Sequence, residues 1–252
     1  MKETDNIIEV KNLSVSYGDM TILDNVNFEI KRGEIFVIVG GSGCGKSTLL
    51  RQIIGLETPN KGTSILVNGE EFTSAKKDLR RKILQNFGVM FQSGGLFASM
   101  TVGENIGLLL ESYTKVPKKK IDDFVDLNLS AVGLRGYENF IPSELSGGMK
   151  KRAAIARALV LNPDILCFDE PSSGLDPVTA ASIDQLIKDI NTSLKTTMIV
   201  VTHDLASILN ISDKIIMLDK STKGIIAKGT PDELKNSKDN DYVYKFFNRI
   251  AN

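Results

Sequence analysis

The residues Gly40-Gly41-Ser42-Gly43-Cys44-Gly45-Lys46-Ser47-Thr48 fit the pattern G-x-x-x-x-G-K-[ST]. Glycines let a loop wrap tightly and expose successive backbone N–H groups, with no Cβ in the way. The positive end of a following helix favours an anion in the same place. Lys46 would reach the β- and γ-phosphates, and the Ser47 hydroxyl would join a Mg²⁺ shell. A second chemical group is the consecutive pair Asp169-Glu170, which follows the apolar run Ile165-Leu166-Cys167-Phe168. Burying two carboxylates without a cation is costly. Asp169 is therefore read as a Mg²⁺ ligand, and Glu170 as the group that polarises an attacking water in phosphoryl transfer. Gln92 and His203 each follow an apolar strand and can reach the same edge. A lone histidine is more often structural than catalytic. The place of His203, directly after a buried strand in a chain with a phosphate loop, favours the catalytic reading.

A further anion-binding device lies elsewhere. Leu145-Ser146-Gly147-Gly148-Met149 opens a helix, with Ser146 as N-cap and two glycines that leave backbone N–H groups bare. Two such devices in one chain point to a nucleotide sandwiched between two copies.

The elements that must hold these residues can be read from periodicity. Ile35-Phe36-Val37-Ile38-Val39 is a buried strand before the phosphate loop, and Leu49, Leu50, Ile53 and Ile54 mark a helix after it. Residues 7–10, 13–17 and 26–30 read as three earlier strands, the last two half-exposed and antiparallel. Tyr17 ends the second and could stack on a flat ring. Asn68-Gly69 signals a hairpin, and residues 76–84 a helix. Gly88–Phe91 is another strand. Residues 93–145 read as an inserted helical unit, with helices at 102–112 and 120–132. The lysine-rich link 115–120 between them is read as a solvated loop, with attraction to a membrane surface as the alternative. Asp176 caps a helix that has Pro177 at its first position. Residues 196–202, 214–218 and 224–228 complete the sheet. Strands alternating with helices imply a parallel sheet covered on both faces. In the tail, Val243, Phe246, Phe247 and Ile250 fall at helical spacing. That face either docks on its own domain or meets a second subunit.

Composition narrows the class. The 252 residues allow one compound domain. Lys plus Arg and Asp plus Glu both total 31, which argues against nucleic acid as the main partner. No apolar run is long enough to cross a bilayer. The first five residues lack the apolar core of a leader. Cys44 and Cys167 fit a reduced compartment better than a disulfide.

Together the motifs resemble those of the ATP-binding cassette (ABC) ATPases, over nearly the whole chain. The resemblance covers the Walker A loop (40–48), the Q-loop Gln92, the signature Leu145–Met149 and Walker B (165–170). It extends to the D-loop Ser173-Gly174-Leu175-Asp176, the switch His203 and the adenine-stacking Tyr17. It implies an α/β fold: a P-loop NTPase (RecA-like), mostly parallel sheet core with an antiparallel β subdomain and an inserted α-helical subdomain. The corresponding divisions are 1–91 and 146–238 for the ATP-binding core, 92–145 for the helical subdomain and 239–252 for the tail. It implies ATP and Mg²⁺ as cofactors, with Ser47, Gln92 and Asp169 as the metal set. It also implies a head-to-tail homodimer, each ATP lying between Lys46 of one subunit and Ser146 to Met149 of the other. By the same resemblance Glu170 is the general base and His203 senses the γ-phosphate.

The segment Gln92–Asn105 and the run Gly148-Met149-Lys150-Lys151-Arg152 look like those of MlaF-type ATPases, which energise lipid transporters associated with MCE proteins. This implies phospholipid transport, an integral permease docking near Gln92, and a peripheral position on the cytoplasmic side of the inner membrane. The competing expectations are the ATPase of a small-solute importer, a soluble ABC protein acting on DNA or ribosomes, and a scaffold without turnover.

Overall fold

The computed structural model describes residues 5–250. Residues 1–4, read above for the absence of a leader, and residues 251–252 of the expected tail lie outside them. The first elements are a hairpin of β1 (Asn6–Tyr17) and β2 (Met20–Lys31). Strand β3 (Ile35–Gly40) then runs through the phosphate loop into α1 (Lys46–Ile53). β4 (Ser64–Val67), β5 (Glu70–Glu71), α2 (Lys77–Leu84) and β6 (Phe87–Met90) follow. Next come α3 (Val102–Tyr113), α4 (Lys118–Ala131) and α5 (Gly147–Leu159). β7 (Ile165–Asp169), α6 (Pro177–Leu194), β8 (Thr197–Val201), α7 (Leu205–Ile211) and β9 (Lys214–Asp219) alternate after that. β10 (Gly224–Gly229), α8 (Pro231–Asn236) and α9 (Asp241–Asn248) end the described chain.

The strands form two sheets. The larger has the order β10-β9-β3-β8-β7-β6 and is parallel except for β10; the smaller is antiparallel, β2-β1-β4-β5. The two-residue period of a strand explains how the central sheet serves two cores. Ile35, Val37 and Val39 face one core with α3 to α6, while Phe36 and Ile38 face the other. β7 and β8 divide in the same way: Leu166, Phe168, Met198 and Val200 go to the first, and Ile165, Cys167, Ile199 and Val201 to the second. Helices cover the first face. The second is covered by α1 and by the antiparallel sheet, joined through Phe28 stacked on Phe36 at 5.3 Å. Cys44 and Cys167 are both buried and free.

Three sequence expectations change. Residues 7–10 and 13–17 belong to one strand rather than two. Asn12 takes a left-handed φ of 53° and bulges the ladder, its N–H bonded to Asn27 Oδ1 at 2.8 Å, and pairing resumes beyond it. The lysine-rich link is shorter than read: Pro117 caps α4, so Lys118, Lys119 and Lys120 form its first turn. The short helices α7 and α8 were not read from periodicity. Both carry cap signals, Asp204 bonding Ala206 N–H and a Thr230/Glu233 capping box with Pro231 at the first position.

The tail docks on its own domain. α9 packs against α8, and Val243 and Phe247 are buried in the helical-face core, with Ile250 left 47% exposed. Replacing Phe247 with Ala should lower unfolding free energy by about 3–5 kcal/mol, read as an earlier denaturant midpoint. An unchanged midpoint would mean that the tail adds nothing to the domain's own core.

Candidate functional site

The loop after β3 folds because two of its glycines have no substitute. Gly40 has φ 147°, and a Cβ there would sit 2.3 Å from the Leu218 carbonyl. Gly45 has φ 100°, caps α1 without a side chain, and has Leu23 within 2.9 Å of where a Cβ would go. The first-turn amides of α1 therefore have no side-chain cap and remain for a ligand. Lys46 Nζ donates to the carbonyls of Gly40, at 2.8 Å, and Gly41, at 3.0 Å, so the loop curls around its own ammonium. The hydroxyl of Tyr242 on α9 stands 3.6 Å from the Cβ position of Gly41.

The carboxylates stand at the end of β7. The Ser47 hydroxyl donates to Asp169 Oδ1 at 3.2 Å, joining the phosphate-loop helix to the strand end. Burial pushes the Asp169 carboxyl above its ordinary range, against the Ser47 bond, which pulls it down. A hydroxyl beside a partly desolvated carboxylate is a hard oxygen donor set of the kind Mg²⁺ takes, and a cation would relieve that burial cost. Gln92 lines the same cleft of 330 Å³ as Asp169, with Arg51 and Phe91. Glu170 is buried and left-handed, with φ 51°. Its N–H bonds the Val201 carbonyl at 2.8 Å, anchoring it to β8. His203 Nδ1 lies 2.8 Å from Glu170 Oε1. An ionised carboxylate only accepts, so that nitrogen carries the proton. The imidazole is largely exposed, its side chain 69% accessible, while the carboxylate is not.

Tyr17 is half exposed, and its hydroxyl donates to Glu57, which raises the phenol's pKa. Glu57 also accepts from Gln52 Nε2 at 3.1 Å and Arg51 Nη1 at 3.5 Å, so a residue not singled out in the sequence holds the aromatic ring.

The second anion device is separate from the first. Ser146 caps α5, accepting from the Met149 N–H at 3.3 Å. None of the hydrogen bonds of Ser146, Gly147 or Gly148 goes to residues 40–48 of the same chain. The two glycines pack on the next motif instead: Gly147 against Leu175, and Gly148 so close to Thr179 that a Cβ would lie 2.6 Å from its methyl. Asp176 caps α6, accepting from the N–H groups of Val178 and Thr179 at 3.0 Å each; its bonds to Thr179 hold its carboxyl low. Ser173 accepts from Lys151 Nζ at 3.3 Å, and Gly174 turns the loop at φ 77°. Arg157 and Lys151 of α5 bond the carbonyls of Gly94, Gly95 and Gln92, so one helix holds the signature end and the Q-loop backbone together. Lys151, Glu57 and Tyr242 act across distances that no local motif records.

A glycine loop between a parallel strand and a helix, with a carboxylate pair on a nearby strand end, defines a P-loop ATPase. The family model described as ABC transporter matches residues 23–173, and the chain belongs to that family as an ATP-binding, ATP-hydrolysing cassette. It is 42% identical, over 93% of its length and 88% of the relative's, to the intermembrane phospholipid transport system ATP-binding protein MlaF of Haemophilus influenzae. It is also 42% identical, over 96% of its length and 68% of the relative's, to the probable ribonucleotide transport ATP-binding protein mkl of Mycobacterium leprae. Among solved structures, the dimeric post-hydrolysis state of the ATP-binding cassette MJ0796 bound to ADP and Pi superposes with a TM-score of 0.79. That match has 31% identity and covers 88% of this chain and 98% of that one.

If Tyr17 stacks on the base, Tyr17→Ala should weaken ATP binding by about 1–3 kcal/mol, and Tyr17→Phe should lose less. Titration with a fluorescent ATP analogue reads both. Equal affinity for wild type and Tyr17→Ala would remove Tyr17 from the base site.

Proposed function

We propose that this chain is the ATPase subunit of a transporter that moves phospholipid between membranes, working with an integral permease and an MCE-domain protein. The observation that carries this reading is the 42% identity over 93% of the chain to a protein named for intermembrane phospholipid transport. The chain itself touches ATP and the permease rather than cargo. Among the described residues no helix is long and apolar enough to cross a membrane. On this reading the chain is held at the cytoplasmic face of the inner membrane by its permease. The permease's docking site is the groove of 1280 Å³ between α3 and α4, with the neighbouring Gln92 loop. Carboxylates such as Glu104, Glu111, Asp122 and Asp126 outnumber cations along that groove.

Two copies of the chain share each ATP. Lys46 and the α1 amides of one copy cradle the phosphates, and Ser146, Gly147 and Gly148 of the second copy close over the γ-phosphate. This division accounts for two anion devices that do not meet within one chain. Ser47 and Asp169, with Gln92 across the cleft, would hold Mg²⁺, which when bound draws charge from the phosphate oxygens. Glu170 takes the proton of the attacking water as its oxygen bonds the γ-phosphorus and the bond to ADP breaks. His203, bonded to Glu170 and open to solvent, orients that carboxylate and senses the γ-phosphate.

The name of the Mycobacterium leprae relative favours a second reading, transport of a nucleotide-like solute. Purification of the native membrane complex through a tag on this chain, followed by mass spectrometry of its proteins and lipids, separates the two. A permease with an MCE-domain protein and bound phospholipid supports the first. A permease with a soluble solute-binding protein replaces it with the second.

Glu170→Gln should keep ATP affinity and slow hydrolysis by about 10²–10⁴-fold; wild-type turnover in that variant would refute the assigned base. Mixing Lys46→Ala and Ser146→Ala chains should restore one intact composite site per heterodimer. Activity that stays absent once heterodimers have been shown to form would sink the shared-site arrangement.

A further inference from the structure

Lys151 is buried, 7% exposed, about one turn into α5. An ammonium in such a place normally has a carboxylate partner. Among the described residues, this one has none within bonding distance. Its Nζ donates to the carbonyl of Gln92 at 2.6 Å, the carbonyl of Glu170 at 3.2 Å and the hydroxyl of Ser173 at 3.3 Å. Those three acceptors lie on three separate segments: the loop after β6, the end of β7, and the turn before α6. One nitrogen thus gathers the Q-loop, the candidate base and the D-loop onto the helix that begins at Ser146. Burial pulls the ammonium's pKa down, and the charges of Glu170 and Asp169 oppose that pull.

The backbone of Glu170 shows why such a tie is needed there. A non-glycine residue with positive φ is strained, and such strain persists only where the surroundings hold it. Four of the other positive-φ non-glycine residues are asparagines, which tolerate this region, whereas Glu170 is a long side chain at a strand end. The next residue, Pro171, has no amide, so the backbone closes the turn only further on, from the Ser173 N–H to the Glu170 carbonyl. The N–H of Glu170 is pinned to Val201, and its carbonyl accepts from both the Ser173 N–H and Lys151 Nζ, at 3.2 Å each. Together these set the direction in which the carboxylate leaves the backbone.

We infer that Lys151 is a positioning residue for hydrolysis, holding the Glu170 peptide in its left-handed setting and tying it to the Gln92 loop, so that movement of that loop is felt at the base. The inference rests on the assignment of Glu170 as the base. It gives the permease-facing loop a direct mechanical connection, through one side chain, to the residue that handles the attacking water. Lys151 is not among the residues assigned to cradle ATP, so loss of the tie should spare binding and slow chemistry.

The test uses the full chain and three variants, Lys151→Met, Lys151→Arg and Ser173→Ala, with Glu170→Gln in parallel. Hydrolysis rate at saturating ATP, ATP Kd and thermal midpoint are measured for each. Lys151→Met should slow hydrolysis by about 10–100-fold, with Kd within about twofold of wild type. Lys151→Arg should recover much of the rate, because it restores donors to the same carbonyls. Ser173→Ala, which removes one acceptor and keeps the backbone N–H, should slow hydrolysis by about 2–5-fold. Its loss should vanish in the Lys151→Met background. Wild-type rates in both Lys151→Met and Ser173→Ala overturn the inference, as does a rate loss in Lys151→Met matched by an equal loss of ATP affinity. Should Lys151→Met fail to fold, the Ser173→Ala rate alone decides. A slow Glu170→Gln beside a normal Lys151→Met rejects the tie and keeps the base; a normal Glu170→Gln rejects the base itself.

Discussion

Two adjacent carboxylates at the end of a buried strand are the constraint that the site must accommodate. β7 is apolar on both faces up to Phe168, and Asp169 and Glu170 then stand at its edge with little water to solvate them. Each is held by a different device. Asp169 receives a hydroxyl from the phosphate-loop helix, and Glu170 receives the imidazole N–H of His203 while its carbonyl receives an ammonium. The helices and loops around the strand end are placed where they can supply those donors. The strand end thereby ties α1 and the loop after β8 through its two carboxylates, and α5 through the Glu170 carbonyl.

The sheet makes this approach stiff. Each of its inner strands sends alternate residues into two separate cores, so the edge that carries the chemistry is clamped from both sides. α5 has a special place on one side. Its first residues form the exposed signature end, its glycines pack on the D-loop and α6, and its Lys151 and Arg157 grip the loop that carries Gln92. A helix bound at so many points is displaced as a unit, which suits a molecule that must pass a change at one surface to another.

The contiguous motifs were legible because each is a local solution to a local problem. A phosphate loop needs glycines and a lysine in fixed order, and a helix start needs Ser146 or Asp176 at one position. The apolar strands were legible for the same reason, since burial on both faces leaves an unbroken run. What stayed hidden depends on contacts between distant residues. Nothing near Glu57 says that it holds Tyr17, and nothing near Lys151 says that its charge is buried against the turn after β7. The bulge at Asn12 was hidden differently: it interrupts the alternation while hydrogen bonds continue, so one strand reads as two. The caps of α7 and α8 were visible, but helices of so few residues offer no periodicity to go with them.

The nearness of α9 to the phosphate loop bears on how the protein is made. Gly41 is synthesised 201 residues before Tyr242, and Val243 and Phe247 follow soon after it. Until then the helical-face core lacks two of its buried side chains, and the loop lacks the hydroxyl beside it. The nascent chain therefore carries its phosphate loop through all the intervening residues with that flank open, until translation reaches α9.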